Sequence, residues 1–142
     1  MKIFGKEKED ISLTPLDFYS FGHLIFGHMA FIIIYLMGFY NLIHIIGISM
    51  MDRALAMATA VGIFWELLEN NLFVKTHLKK RKDSLNNSVC DILCVFIGAA
   101  IICIFVYFYG FTSMMFLTIN TVILLIYFMC FYMLEVHTIR EC

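Results

Sequence analysis

Acidic and amide side chains gather in one stretch, "WELLENNLFVKTHLKKRKDSLNNSVCDIL", residues 65–93, of a chain otherwise dominated by Ile, Phe, Leu and Met. Glu66, Glu69, Asn70, Asp83, Asn87 and Asp91 supply oxygen ligands and proton acceptors, and His23 lies on an earlier apolar segment. An oxygen-rich set suits a hard divalent cation such as Mg²⁺, Mn²⁺ or Ca²⁺, with Glu66, Glu69 and Asp91 as its candidate ligands. Such an ion can bridge phosphate or pyrophosphate oxygens and activate an attacking group. A crowded carboxylate can instead keep its proton and act as a general acid or base. The candidate catalytic residues are therefore Glu66, Asp91, Glu69 and Asp83. His23, Asn70, Asn87, Lys79 and Arg81 are the candidate substrate-binding residues.

Each acid also has a plainer role. Glu69 lies about one turn from the end of an apolar run, where its carboxylate reaches water or pairs with Lys75 or Lys79. Asp83, with Ser84 and Asn86 beside it, can be a helix N-cap or a solvated loop charge. Asp91 can be a first-turn charge favoured by the helix dipole. Glu66, between Trp65 and Leu67 deep in an apolar run, is the hardest to explain that way. Only the convergence of all four raises the cluster above chance.

The elements that position these residues follow from composition. The chain has 142 residues, 62% of them hydrophobic, and a mean hydropathy of +0.88. A small soluble domain buries too little of its surface to hide that much apolar area, so the expected solvent is lipid. The length allows one domain, residues 1–142. Near-neutral net charge gives no sign of nucleic acid, and one proline and eight glycines argue against a low-complexity chain. Four apolar spans, at about 21–39, 54–73, 89–108 and 112–134, each approach the ~20 residues that a helix needs to cross the hydrocarbon core. They are continuous and lack the alternation of barrel strands, so the expected fold is all-α: four transmembrane helices in a bundle. "YGFTS" joins the third and fourth as a tight hairpin. No secretory signal fits the late first apolar run.

Lys2, Lys6, Lys8, the loop at about 74–88 with Lys75, Lys79, Lys80, Arg81 and Lys82, and Arg140 would share one side of a four-span bundle, leaving Arg53 opposite. The positive-inside rule makes both termini and that loop cytoplasmic, with "KKRK" against anionic headgroups. Glu66, Glu69 and Asn70 then fall in the cytoplasmic half of the second helix, and His23, Asp83, Asn87 and Asp91 near the same leaflet.

Residues four apart share a helix face. Ala54, Ala58, Gly62, Glu66 and Asn70 make one such row, and Cys94, Gly98 and Ala99 follow Asp91 on another. Small residues allow membrane helices to approach closely, so the second and third helices are expected to join along these rows. Asp83, Asn87 and Asp91 also align if the third helix begins as early as Asp83. His23 and His28, five apart, point to different sides, and an interior hydrogen-bonded histidine is the common fate of either. His44, His77 and His137 lie in outer or solvated segments. The odd set Cys90, Cys94, Cys103, Cys130 and Cys142 contains no CxxC pair and reads as packing thiols. "LTPLDFYS" looks like an interfacial turn capped by Thr14, with Pro15 at the first position, and Trp65 like an interface residue.

"LDFYSFGH", "WELLEN" and "DSLNNSVCDIL" occur in the order and spacing of a family of small bacterial membrane proteins that resembles the VanZ-like proteins. The likeness spans roughly residues 16–100, and its most specific part is the Asp-Ser-x-x-Asn-Ser-x-x-Asp run. It places Glu66, Glu69, Asn70, Asp83, Asn87, Asp91 and His23 on motif positions. It departs where a second histidine is expected before Gly27, since Phe26 stands there and His28 follows. The resemblance implies a bacterial inner membrane and envelope lipids or cell-wall precursors as the working context.

The leading expectation is an enzyme acting on a lipid headgroup, lipid phosphate or polyprenyl phosphate at the cytoplasmic leaflet, with membrane lipids as partners and a pocket that a homo-oligomer could share. The alternatives are a lipid-binding or proton- or cation-coupled transport protein, and a non-catalytic envelope protein whose acids pair with another chain.

Overall fold

The computed structural model describes residues 3, 12–39, 49–77, 79, 81–110 and 118–129. Helix α1 is Phe18–Phe39, α2 is Met50–Leu68, and α3 is Leu85–Tyr109. A π-helical turn, Glu69–Phe73, continues α2, and a shorter apolar helix, α4, covers Thr118–Met129. Most of the described residues are helical, with no strand among them. Two helices are long and apolar enough to cross a membrane, α1 over Tyr19–Gly38 and α3 over Leu85–Tyr109. Helix α2 carries Asp52, Arg53 and Glu66 along its length. The expected fourth span is described only over α4, and Lys2, Lys6, Lys8, His44, Lys80, Cys130, His137, Arg140 and Cys142 lie outside the described residues.

Capping groups, not the edges of the apolar runs, set where the helices start. Ser49 accepts the Asp52 N–H at 3.1 Å and opens α2 at Met50. Ser84 accepts the Asn87 N–H at 3.2 Å and opens α3 at Leu85. Each satisfies a backbone donor that the first turn leaves without an intrahelical partner. Two expectations are thereby corrected. Asp83 precedes α3 instead of starting it, and Asp91 falls in the second turn, so the helix dipole does not account for it. Helix α1 is capped by Asp17, not Thr14. Asp17 Oδ1 accepts the Tyr19 N–H at 2.8 Å, while Ser20 Oγ accepts the Asp17 N–H at 3.2 Å, the latter being the return bond of a capping box. The Thr14 hydroxyl donates instead to the Leu16 carbonyl.

The centre of the molecule is small and apolar. Phe31, Ala54, Ala58, Ala99, Ile102 and Val106 are buried between α1, α2 and α3. The row on α2 is buried as expected through Ala54, Ala58, Gly62 and Glu66, and Gly62 lies under the side chain of Val95 on α3. The row on α3 divides. A methyl group built on Gly98 would lie 2.1 Å from the Leu24 carbonyl oxygen of α1, and one on Gly27 would lie 1.9 Å from the Val95 oxygen. The closest backbone approach is therefore between α1 and α3, where the loss of two side chains lets main chains touch.

Large apolar groups lie on the surface and several polar ones lie inside. Phe64, Leu67, Leu93, Phe96, Ile97 and Phe108 are exposed, whereas Asp17, His23, His28, Glu66, Asn87 and Asp91 are buried. Buried polar groups of this number are unusual beside so much exposed apolar surface, and they gather near the apolar centre, not within it.

Candidate functional site

The site lies where the start of α1, the end of α2 and the start of α3 meet. Each helix contributes one ionisable side chain: His23, Glu66 and Asp91, which are only 7%, 3% and 3% exposed. His23 Nε2 is 3.5 Å from Glu66 Oε1 and 3.7 Å from Asp91 Oδ2. One ligand atom from each of the three lies within 4.8 Å of the others, a buried group that could hold a metal ion.

Both carboxylates are held from behind. Ser20 Oγ donates to Asp91 Oδ1 at 2.7 Å. The Asn70 amide donates to Glu66 Oε2 at 3.3 Å, to the Glu66 carbonyl at 3.1 Å and to Ser88 Oγ at 3.2 Å. The oxygens that remain, Glu66 Oε1 and Asp91 Oδ2, are the ones turned toward His23. Glu66 Oε1 is buried and has no hydrogen-bond partner among the described residues. An acceptor in that condition costs free energy unless something fills it.

Both asparagines of the π-turn fold back onto carbonyls four residues earlier, a local side-chain-to-backbone bond that polar residues make in helices. Asn70 reaches the Glu66 carbonyl and Asn71 the Leu67 carbonyl, the latter at 2.8 Å. From there Asn70 also reaches the Glu66 carboxylate, and its own Oδ1 accepts the Asp83 N–H at 2.7 Å.

The remaining sequence candidates form an outer ring. Lys79 Nζ pairs with Glu69 Oε2 at 3.2 Å and with Asp83 Oδ2. Partial burial opposes the Lys79 charge, but the bond and charge of Asp83, with help from Glu69, outweigh it and raise the pKa above its usual value. Glu69 also accepts the Trp65 indole N–H at 3.0 Å. It therefore sits on the Lys79 side, not in the cluster with Glu66 and Asp91, and His23 takes the third place. Asn87 is buried and donates to Asp17 Oδ2 at 3.4 Å. Arg81 is exposed.

Sequence reasoning left out Asp17, Ser20 and Trp65. Asp17, 1% exposed, holds the Ser12 and Tyr19 N–H groups as well as Asn87. Ser20 is three residues before His23, so the two share a helix face; that spacing in "DFYSFGH" was the available signal. Trp65 does more than mark an interface. It binds Glu69 and lies between Phe26 and Phe73, each 5.7 Å away centre to centre. His28 stands apart from the site, as the five-residue spacing implied. Its Nε2 is 2.6 Å from Asn120 Oδ1 on α4, with the Tyr127 ring edge-on. Cys90, Cys94 and Cys103 are free thiols on the inward or half-buried surface of α3.

Comparison of the chain with family models, curated proteins and solved structures finds no match.

Proposed function

We propose that this chain is a four-span integral membrane protein of the bacterial inner membrane, with both termini cytoplasmic and its polar site at headgroup depth, acting as an enzyme on a lipid headgroup, lipid phosphate or polyprenyl phosphate. The observation that carries this reading is the buried meeting of His23, Glu66 and Asp91 at one end of three helices with apolar outer surfaces. Ionisable groups on membrane helices are costly and are retained where they handle substrates, ions or protons. A site at the end of the helices, not half-way along them, is where a headgroup can reach them.

The ring around the site supports a chemical role over simple charge pairing. Lys79 is already engaged by two carboxylates, whereas Glu66 Oε1 is left open toward His23. The resemblance to the VanZ-like proteins favours envelope lipids as the substrate pool. A proton- or cation-coupled transporter is the second reading. It is favoured by His28 and Asn120, which extend buried polarity further along α1.

The test is whole-lipid mass spectrometry of membranes expressing wild type or Glu66→Gln at matched levels. A lipid species that appears or disappears only with wild type establishes the enzyme and names its substrate class. Identical lipidomes would overturn the reading for the lipids present and favour transport.

A further inference from the structure

We propose that His23 Nε2, Glu66 Oε1 and Asp91 Oδ2 form a three-ligand site for a first-row transition dication of the Zn²⁺ or Mn²⁺ type, not for Mg²⁺ or Ca²⁺. This deepens the lipid-headgroup reading, from which it takes the site, by naming what supplies positive charge there.

Donor chemistry decides the class of ion. Mg²⁺ and Ca²⁺ favour all-oxygen shells. An imidazole nitrogen beside two carboxylates belongs to Zn²⁺, Mn²⁺ and Fe²⁺ sites, and the structure puts His23, not Glu69, beside Glu66 and Asp91. Spacing agrees. Ligands bound at ~2.0–2.1 Å to a tetrahedral centre stand roughly 3.3–3.5 Å apart. The His23–Glu66 and His23–Asp91 separations are 3.5 and 3.7 Å.

The outer contacts are those of a metal site. A ligating carboxylate is usually held through its other oxygen by a hydrogen-bond donor. Asp91 gives one oxygen to Ser20 and turns the other to His23; Glu66 gives one to Asn70 and leaves the other, buried and without a hydrogen bond, at the same point. Two acids aimed at one histidine attract a cation and repel an anion. A phosphate-bearing headgroup would need its charge offset here, because Lys79 is held by Glu69 and Asp83. Three protein ligands leave a further coordination position for water or a headgroup oxygen, as in catalytic zinc sites.

The experiment uses the full chain, purified without a polyhistidine tag, stripped with a chelator and held in lipid nanodiscs. Equilibrium dialysis against Zn²⁺, Mn²⁺, Mg²⁺ and Ca²⁺ is expected to give one equivalent of Zn²⁺ or Mn²⁺ per chain, with neither Mg²⁺ nor Ca²⁺ competing at equal concentration. His23→Ala, Glu66→Gln and Asp91→Asn should each abolish saturable binding, and Glu69→Gln should not. Ser20→Ala and Asn70→Ala should weaken binding about 10–100-fold, the usual effect of removing an outer-shell contact. Co²⁺ bound to wild type should show absorption from nitrogen and oxygen ligands without a thiolate charge-transfer band, which tests the donor types even if a ligand variant fails to fold. Absence of saturable binding to folded wild type, preference for Mg²⁺ or Ca²⁺, or a thiolate band would overturn the proposal. Because binding is read without turnover, failures separate. Lipidomes that differ between wild type and Glu66→Gln in a chain that binds no metal remove the ion and keep the enzyme. Metal binding with unchanged lipidomes does the reverse.

Discussion

Ser20 Oγ donates to Asp91 Oδ1 at 2.7 Å, across 71 positions of sequence. The same hydroxyl accepts the Asp17 N–H, so the group that completes the cap of α1 also fixes a site carboxylate on α3. Ser20→Ala is expected to leave Asp91 with a buried oxygen unsatisfied, at a cost of about 1–3 kcal/mol. Ser20→Thr keeps the hydroxyl and should recover most of that loss. Thermal unfolding in detergent, followed by circular dichroism, checks both. Equal loss in the two variants would show that bulk, not the hydrogen bond, matters at this position.

Asn70 joins two parts of the molecule that sequence separates. Its amide nitrogen serves Glu66 and Ser88, while its oxygen holds the Asp83 N–H. Asn70→Asp removes the donor and places a second carboxylate against Glu66. It is therefore expected to be worse than Asn70→Ala, although aspartate is closer in shape. The readouts are the melting temperature and, where wild type and Glu66→Gln lipidomes differ, the size of that difference. If Asn70→Asp matches wild type, the amide is not what orients Glu66.

The rows of small residues and the concentration of acids were legible in the sequence because four-residue spacing on a helix survives any uncertainty in its ends. Ala54, Ala58, Gly62 and Glu66 are buried along one face as that spacing required. What could not be read was which neighbour each row meets. Gly98 belongs to the row headed by Asp91, yet it lies against Leu24 of α1, because facing is set by how three helices share one centre. The third member of the cluster was hidden for the same reason. Glu69 and Glu66 are close in sequence, but Glu69 is engaged by Trp65 and Lys79, and His23 arrives from another helix.

Lys79 offers a prediction in pH. Its folded pKa is raised, so its contribution to stability is fully present below the ordinary lysine value of ~10.4 and is lost only as pH rises through the higher folded value. Lys79→Met should lower stability by about 1.5–3 kcal/mol, typical of hydrogen bonds to charged groups, by an amount constant from neutral to mildly alkaline pH. The gap to wild type should close only in strongly alkaline solution. Unfolding profiles of both proteins across pH provide the measurement. A gap that closes near neutrality would mean that another group governs the ring.

Gly27 and Gly98 set the distance between α1 and α3, and their substitution tests that packing most directly. A Cβ on Gly27 meets the Val95 backbone at 1.9 Å and one on Gly98 meets the Leu24 carbonyl at 2.1 Å, whereas one on Gly62 meets only Val95 side-chain atoms, at 2.8 Å and beyond. Backbone on the opposing helix cannot turn aside as a side chain can. Gly27→Ala and Gly98→Ala must therefore push the helices apart, at a cost of at least the ~1–3 kcal/mol typical of overpacking, and Gly62→Ala should cost less. Because Leu24 is one residue from His23, and Asp91 is on the same helix as Gly98, separation of α1 from α3 should also weaken the site. The expected order of melting temperatures is wild type, then Gly62→Ala, then Gly27→Ala and Gly98→Ala. If Gly98→Ala melts with wild type, α1 and α3 do not meet through their backbones, and the geometry of His23 with Asp91 loses its support.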